Sequence, residues 1–476
     1  MKYKIHFVIF VSFLLIFLIG QAQQVTDSRF TILLSHSLYS SFSFNLKPYL
    51  DFPSLNETIS EVKEKYDHQG QVIESGQLVI KKNNNKNEIW RMKYSPIPSL
   101  LSLPFVFILD NLGLSVTNPQ TLVWNPTNEI RQQVIIASIL CAFYAVVLFS
   151  LARLWLPKNL SILITIILVL GSSVASSLSR AIWSDTWGCL LTLLAIHHLA
   201  YAHYRYRKIN VFYSLLLVIL AVFCKPLFLF SAIAIAVWIL IIDKKKFIVV
   251  NVLTIIGAGI YFIWALRSND SLVAVYQFTN FNFINFEYFA GILISPSRGI
   301  LVFSPWIIFI FSIFCFLYKK INPTEKRIFL ISITPIIGII ILLSTYEFWW
   351  AGFAYGPRLQ SPMMPWLSVI SIILFAKFWE YIKSKNKLAF LDKGLITLGV
   401  ICSILAILIN VYGINQKKAF YQWHLNITYD PKIHENVNAA ILARMWNWQD
   451  PIFLAGIINQ ERYLESPSYF QERPNN

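Results

Sequence analysis

The sequence predicts an all-α polytopic membrane protein with about eleven transmembrane helices and a long first extracytoplasmic loop carrying membrane-surface helices. Three observations predict it. Of the 476 residues, 56% are hydrophobic and only 13% are charged, where soluble domains carry about a quarter charged residues. Apolar runs approaching the ~20 residues that cross a bilayer as helix recur along most of the chain. Clusters of Lys and Arg fall in alternate connections between those runs, as the positive-inside rule requires.

The formal net charge of +16 does not point to nucleic acid. The excess sits in short clusters such as Lys244-Lys245-Lys246 and Arg205-Tyr206-Arg207-Lys208, each between apolar runs. All five cysteines (Cys141, Cys189, Cys224, Cys315 and Cys402) lie within apolar segments without ligand spacing, which predicts neither a disulfide framework nor a zinc site.

The first apolar run, Ile5–Gly20, follows the basic start Met1-Lys2-Tyr3-Lys4. It reads as a first span, or as a signal peptide cleaved near Gly20-Gln21-Ala22; either places Asp27 outside. Residues 21–131 form the extracytoplasmic loop. Ser54–Asn87 is polar there, and Lys81–Lys86 reads as a solvated turn. Pro96–Leu114 is apolar but interrupted by Pro98 and Pro104, which predicts a helix lying along the membrane surface.

Spans follow over Gln132–Leu154, Leu160–Leu178, Ile182–Ala202, Asn210–Cys224, Leu227–Ile242, Phe247–Leu266, Ile300–Tyr318, Ile328–Thr345, Pro362–Ile382 and Gly394–Val411. Asn210–Ile242 could be one tilted helix. Proline disfavours helix at the preceding residue and lysine is costly in hydrocarbon, so Lys225-Pro226 favours two spans meeting at the outer face. Residues 1–413 then form the transmembrane domain, and 414–476 a short extracytoplasmic tail.

Orientation follows from charge. Inside connections hold Arg153 and Lys158; Arg205, Arg207 and Lys208; Lys244 to Lys246; Lys319, Lys320, Lys326 and Arg327; and Lys383, Lys385, Lys387 and Lys393. Short outside connections hold mostly single cations: Arg180, Lys225, Arg267, Arg298 and Arg358. This places a multi-pass chain in the plasma membrane, the inner membrane of a bacterium, with its N-terminus cytoplasmic.

The chemically suggestive residues gather on the outer side. Asp27, just beyond the first run, can serve as a general base or cap the helix that follows. Asp185 opens the Ile182–Ala202 span; it can cap that helix, pair with Arg180, or orient a hydroxyl or a divalent metal. Lys225, Arg298 and Arg358 face the same side, and arginine forks match phosphate oxygens. Interfacial snorkelling explains any one of them alone. The run Tyr346-Glu347-Phe348-Trp349-Trp350-Ala351-Gly352-Phe353-Ala354-Tyr355-Gly356-Pro357-Arg358 exceeds what an aromatic belt needs, because it includes Glu347 and a Gly-Pro-Arg turn. Its aromatic faces suit a sugar. His197, His198 and His203 lack a ligand-like partner set and read as packing residues. Asn56-Glu57-Thr58 and Asn426-Ile427-Thr428 match glycosylation sequons.

In that order these residues resemble the membrane-embedded C-type glycosyltransferases (GT-C), the group containing protein O-mannosyltransferases and the lipid A aminoarabinose transferase. Asp27 matches the family acid after helix one, and Asp185 the second acid, before a later span. Tyr94-Ser95-Pro96-Ile97-Pro98-Ser99-Leu100-Leu101-Ser102-Leu103-Pro104 is similar to the family's surface-helix motif, with Pro96-Ile97-Pro98 in place of Pro-Pro. Asp27-Ser28 stands where the family has Asp-Glu.

The resemblance implies transfer of a hexosyl or pentosyl group from a polyprenyl-phosphate donor to a hydroxyl of a protein, lipid or polysaccharide acceptor. It implies inversion, with Asp27 as base, Asp185 orienting acceptor or metal, and Lys225, Arg298 or Arg358 on the phosphate. Tyr94, Glu347, Trp349, Trp350 and Tyr355 are then the substrate-binding candidates. The rival reading is a transporter or flippase of lipid-linked sugars. Such folds often carry inverted repeats and helices broken at mid-membrane; no repeat is visible here.

Overall fold

The computed structural model describes residues 2–23, 27–55, 63–66, 72–74, 78–82, 88–205, 211–242, 283–352, 354–415, 423 and 430–458. The expected span Phe247–Leu266, the Lys244–Lys246 cluster and both sequons lie outside the described residues.

Five described helices are long and apolar enough to cross a bilayer: Ile97–Leu114, Pro126–Ala152, Pro323–Ser344, Arg358–Lys383 and Phe390–Ile414. A sixth is added if Lys158–Leu170 and Ser173–Arg180, bent by 52°, form one broken span. Shorter apolar helices cover Lys4–Leu18, Tyr213–Cys224 and Pro226–Ile242. Five or six is fewer than the expected eleven or so, and local sequence explains part of the difference. Ser304-Pro305 splits Ile300–Tyr318 into Ile300–Phe303 and Trp306–Leu317, since proline offers no N–H to an ongoing helix. Ser184–Arg205 is long enough, but Asp185 and three histidines dilute its apolar character.

Pro96–Leu114, expected as an apolar surface stretch interrupted by prolines, forms the helix Ile97–Leu109, which runs through Pro104 and continues in a wider turn over Asp110–Leu114. Its 18 residues span ~27 Å at ~1.5 Å per residue, which meets a bilayer's requirement by length and composition. Pro98 lies in the first turn, where the backbone N–H has no helical partner anyway. The chain is also not wholly helical. The polar stretch of the first loop forms a four-stranded sheet from β1 (Lys63–Tyr66), β2 (Val72–Glu74), β3 (Leu78–Lys82) and β4 (Glu88–Met92), in the order β2-β1-β3-β4. β1 and β3 run parallel; β3 and β4 form an antiparallel pair in the register Leu78↔Met92 and Ile80↔Trp90. Leu78, Val79, Ile80 and Trp90 are buried, the signature of β-formers on a packed sheet.

The chain divides into two compact units. The first comprises residues 1–23, 145–178 and 281–476. Here Phe13 and Phe17 of the helix Lys2–Leu18 are buried, and the chain beyond it is pinned by Gln21 N–H to the Ile414 carbonyl (3.1 Å) and Gln23 Nε2 to the Gly413 carbonyl (3.2 Å). The Pro323–Ser344 helix starts on a capping box: the Asn322 side chain accepts from Glu325 N–H at 2.8 Å, and Glu325 Oε2 accepts from Asn322 N–H at 3.3 Å. Such reciprocal caps satisfy two of the donors that a helix start leaves open. The small residues Ser172 to Ser177 are all buried and knit this unit internally, Ser176 Oγ donating to Asn410 Oδ1 (2.7 Å) and Ser177 Oγ to the Tyr355 carbonyl (2.8 Å).

The second unit comprises residues 24–144 and 179–280. The helix Thr31–Ser41 packs on Ile97–Leu109, and Ser184–Arg205 on Val211–Cys224. Ser35 Oγ donates to the Ser99 carbonyl at 2.7 Å, and Trp187 Nε1 donates to Ser102 Oγ at 2.9 Å. His198 meets the Tyr213 ring edge-on at 5.3 Å, a packing contact.

Candidate functional site

In the second unit, Asp27 is buried in a turn ahead of the Thr31–Ser41 helix. Its carboxylate does not cap that helix: the N-cap is Phe30, held at φ 66° with no side-chain cap bond. The Asp27 main-chain carbonyl instead accepts from Thr31 Oγ1 at 3.3 Å, while Asp27 Oδ2 accepts a long hydrogen bond from Ser184 Oγ at 3.4 Å. Ser184 is the residue before Asp185, so Asp27 abuts the helix start that carries the second acid named from the sequence.

Two side chains hold that meeting. Gln133 Nε2 donates to the Ser28 carbonyl at 2.5 Å, and Gln133 Oε1 accepts from Ile182 N–H at 2.6 Å. Fixed by the Pro126–Ala152 helix, Gln133 thus ties the Asp27 turn to the Asp185 turn. Lys225, released from helix by Pro226, directs its Nζ to both oxygens of Asp185 at 2.9 and 2.8 Å. Both residues are buried.

Of the roles read for Asp185, the ion pair is made with Lys225, while the Arg180 Nε donates to Ser179 Oγ at 2.8 Å. Lys225, expected on the donor phosphate, faces a carboxylate of its own chain. Tyr94 is half-buried at the mouth of the Ile97–Leu109 helix, beside Ser95, whose Oγ donates to the Phe223 carbonyl at 2.6 Å.

In the first unit, Arg298 is buried and its guanidinium is oriented by main-chain carbonyls: Nε to Trp350 (2.5 Å), Nη1 to Ser297 (2.8 Å) and Nη2 to Gly352 (3.0 Å). The turn it grips is a strained one, with Ala351 at φ 68° and Gly352 at φ 58°. Arg358 opens the turn before the Met364–Lys383 helix and is also buried. Burial, and then the charge of Arg358, push the Arg298 guanidinium down to about 9, so it still carries its charge at neutral pH. Burial raises the Tyr346 phenol, which Arg358 lowers and Glu347 raises again. Arg298, Arg358, Tyr346 and Glu347 therefore share one electrostatic neighbourhood.

The aromatic run divides into core and surface. Trp349 is fully buried and seated on Gly291, where an added Cβ would lie 2.3 Å from its ring. Tyr355 is buried too; its OH donates to the Ile409 carbonyl at 2.9 Å and its ring meets Phe303 edge-on. Both rings are packed against protein rather than open to solvent. Tyr346, Phe348 and Trp350 remain partly exposed, with ring centroids 5.9 and 6.2 Å apart along the run. Glu347 accepts from Asn438 Nδ2 at 3.2 Å.

Gln133, Ser184 and a cluster on the Thr31–Ser41 helix escape the sequence reading. In the cluster, His36 Nδ1 lies 2.6 Å from Asp110 Oδ2, Tyr39 OH donates to that same oxygen, and Gln132 Nε2 donates to Asp110 Oδ1 at 2.6 Å. Burial and the Asp110 carboxylate raise the Tyr39 phenol well above its ordinary value. An aspartate inside the apolar PFVFILDNLGL and a Gln-Gln pair heading an apolar helix are the signals that could have revealed them. No group of three metal-ligating side chains occurs among the described residues.

No protein-family model and no curated protein matches the sequence. The chain is similar to two structures of the oligosaccharyltransferase of Archaeoglobus fulgidus. One is AglB in complex with an inhibitory peptide and a dolichol-phosphate (TM-score 0.44, 12% identity, covering 92% of this chain). The other is the apo form (TM-score 0.39, 13% identity, 92% of this chain). This chain spans 60% of the length of each.

Proposed function

We propose that this membrane protein is an inverting glycosyltransferase that moves a sugar from a polyprenyl-phosphate donor to an acceptor hydroxyl at the extracytoplasmic face. The observation carrying the proposal is the buried Asp27 carboxylate, held beside Ser184 one residue from the Asp185–Lys225 ion pair. A carboxylate fixed by a hydroxyl donor, rather than spent on a helix cap, suits a general base.

In this reaction the acceptor oxygen attacks the anomeric carbon as Asp27 takes its proton. The anomeric carbon–oxygen bond breaks, and its electron pair leaves with the polyprenyl phosphate. Attack opposite the leaving group inverts the centre. Lys225, Arg298 and Arg358 are kept as the phosphate candidates that the sequence resemblance names; one preorganised donor on a leaving group is worth about 3–4 kcal/mol. Asp185 becomes a positioning residue: its ion pair with Lys225 anchors the helix start that carries Ser184 to Asp27. Trp350, Phe348 and Tyr346 are the aromatic faces open to a sugar, and Tyr94 stays assigned to substrate.

The test is transfer of radiolabelled sugar from a polyprenyl-phosphate donor by the purified chain. Covalent transfer lost on Asp27→Asn supports the proposal. Movement of the donor across a bilayer without transfer replaces it with a flippase.

A further inference from the structure

The first unit contains a half-enclosed cavity of about 410 Å³, lined almost wholly by apolar side chains and by none of the candidate site residues. Four helices form it: Lys158–Leu170, Trp306–Leu317, Met364–Lys383 and Phe390–Ile414. Ile396, Gly399, Val400, Ser403 and Ile407 line it at helical spacing from the last of these, presenting one continuous face. Gly399 lets the Phe309 ring of the neighbouring helix pack directly on that face, since an added Cβ would sit 2.7 Å from the ring.

The dimensions and the charge at one end select an occupant. From Ile396 to Ile407 the lining rises ~16 Å at ~1.5 Å per residue, close to half of a ~30 Å hydrocarbon core, the depth of one leaflet. At one end the lining residues Leu160, Ile382 and Ile396 stand within three residues of Lys158, Lys383 and Lys393. All three lysines are exposed, on the helix ends that the charge pattern assigns to the cytoplasm. An apolar slot one leaflet deep, with cations at its end, matches a lipid having an acyl chain and an anionic headgroup. A sterol or neutral lipid would leave the cations without a role.

We propose that this cavity is a binding site for an anionic phospholipid, one acyl chain in the slot and the phosphate against Lys158, Lys383 and Lys393. The site is independent of the transfer reaction, and its failure would leave that reaction untouched.

Trp306 and Trp379 line the cavity and report on it. The full chain in neutral detergent is titrated with phosphatidylglycerol carrying a brominated acyl chain, and in parallel with the matching phosphatidylcholine, reading tryptophan quenching. Phosphatidylglycerol should quench saturably and at lower concentration, by about fivefold for each lysine that engages it. Lys158→Gln, Lys383→Gln and Lys393→Gln together should bring it to the phosphatidylcholine curve. Ser403→Phe, which fills the slot with an apolar ring, should cut quenching by both lipids. The Trp379→Phe protein should lose the saturable component in part. Equal, unsaturating quenching by both lipids in the unmodified protein would overturn the proposal without recourse to any variant, as would an unchanged curve in a folded Ser403→Phe protein.

Discussion

Lys225 sets its ammonium nitrogen 2.9 and 2.8 Å from the two carboxylate oxygens of Asp185, and both side chains are buried. The pair joins the Pro226 break to the start of the Ser184–Arg205 helix. Removing one partner strands a charge away from water, which costs about 3–5 kcal/mol, whereas removing both costs much less. Lys225→Met and Asp185→Asn should each lower the unfolding temperature sharply in a fixed detergent, and the double variant should recover most of the loss. Additive losses would show that the two side chains act separately.

Asp27→Asn keeps the shape of the side chain and removes its capacity to take a proton. General-base catalysis contributes roughly 10²–10⁴-fold, so sugar transfer should fall by that factor while yield and unfolding temperature stay near those of the parent. Ser184→Ala, which removes the hydroxyl 3.4 Å from Asp27 Oδ2, should cause a smaller loss in the same assay. Full activity in Asp27→Asn takes that residue out of the reaction.

Neighbouring tryptophans should behave as different kinds of residue. Trp349 is core, and truncating a buried tryptophan to alanine costs about 3–5 kcal/mol. Gly291→Ala would press a methyl into the same ring, a strain of about 1–3 kcal/mol, relieved when Trp349→Leu accompanies it. Trp350→Ala should leave stability near the parent's and raise the KM for the sugar donor. A thermal-unfolding series beside the transfer kinetics distinguishes them; an equal drop in stability for both tryptophan variants would contradict this division.

Lys385 lies 2.6 Å from Asp392 Oδ2, with its ammonium 4.3 Å from the Tyr381 ring centroid. The hydrogen bond to Asp392, and then the one to Tyr381, raise the lysine above its ordinary 10.5. For a base whose folded value is raised, the contribution to stability is fully present below 10.5 and is lost as the pH climbs through the raised value. Reductive methylation with a carbon-13 label and NMR titration should place the Lys385 midpoint above 10.5, and Asp392→Asn should return it toward the ordinary value. An unchanged midpoint in that variant would show that the carboxylate does not hold the ammonium.

Several parts of the site are legible in the linear sequence because they depend on local rules. Pro226 has to release Lys225 from helix, and the two acids and the cations stand out as isolated charges beside apolar runs. The interruption expected at Pro104 does not occur, since the Ile97–Leu109 helix runs through that residue: a single proline removes one hydrogen bond and bends a helix without having to end it. The sheet was hidden because Leu78-Val79-Ile80 is a short run among lysines and asparagines, and strand pairing depends on partners elsewhere in the chain.

Composition and charge by themselves determine that this is a helical membrane protein and which acids and cations deserve attention, because hydrophobic length and the cost of burying charge are properties of each segment alone. Which charges answer each other is a different matter. That Lys225 turns to Asp185, that Gln133 joins the turns of Asp27 and Ile182, and that Trp349 fills a space left by Gly291 are decided only in tertiary structure. Hydrogen bonds and van der Waals contacts act over a few ångströms, and the residues that make them here are separated by tens of positions along the chain.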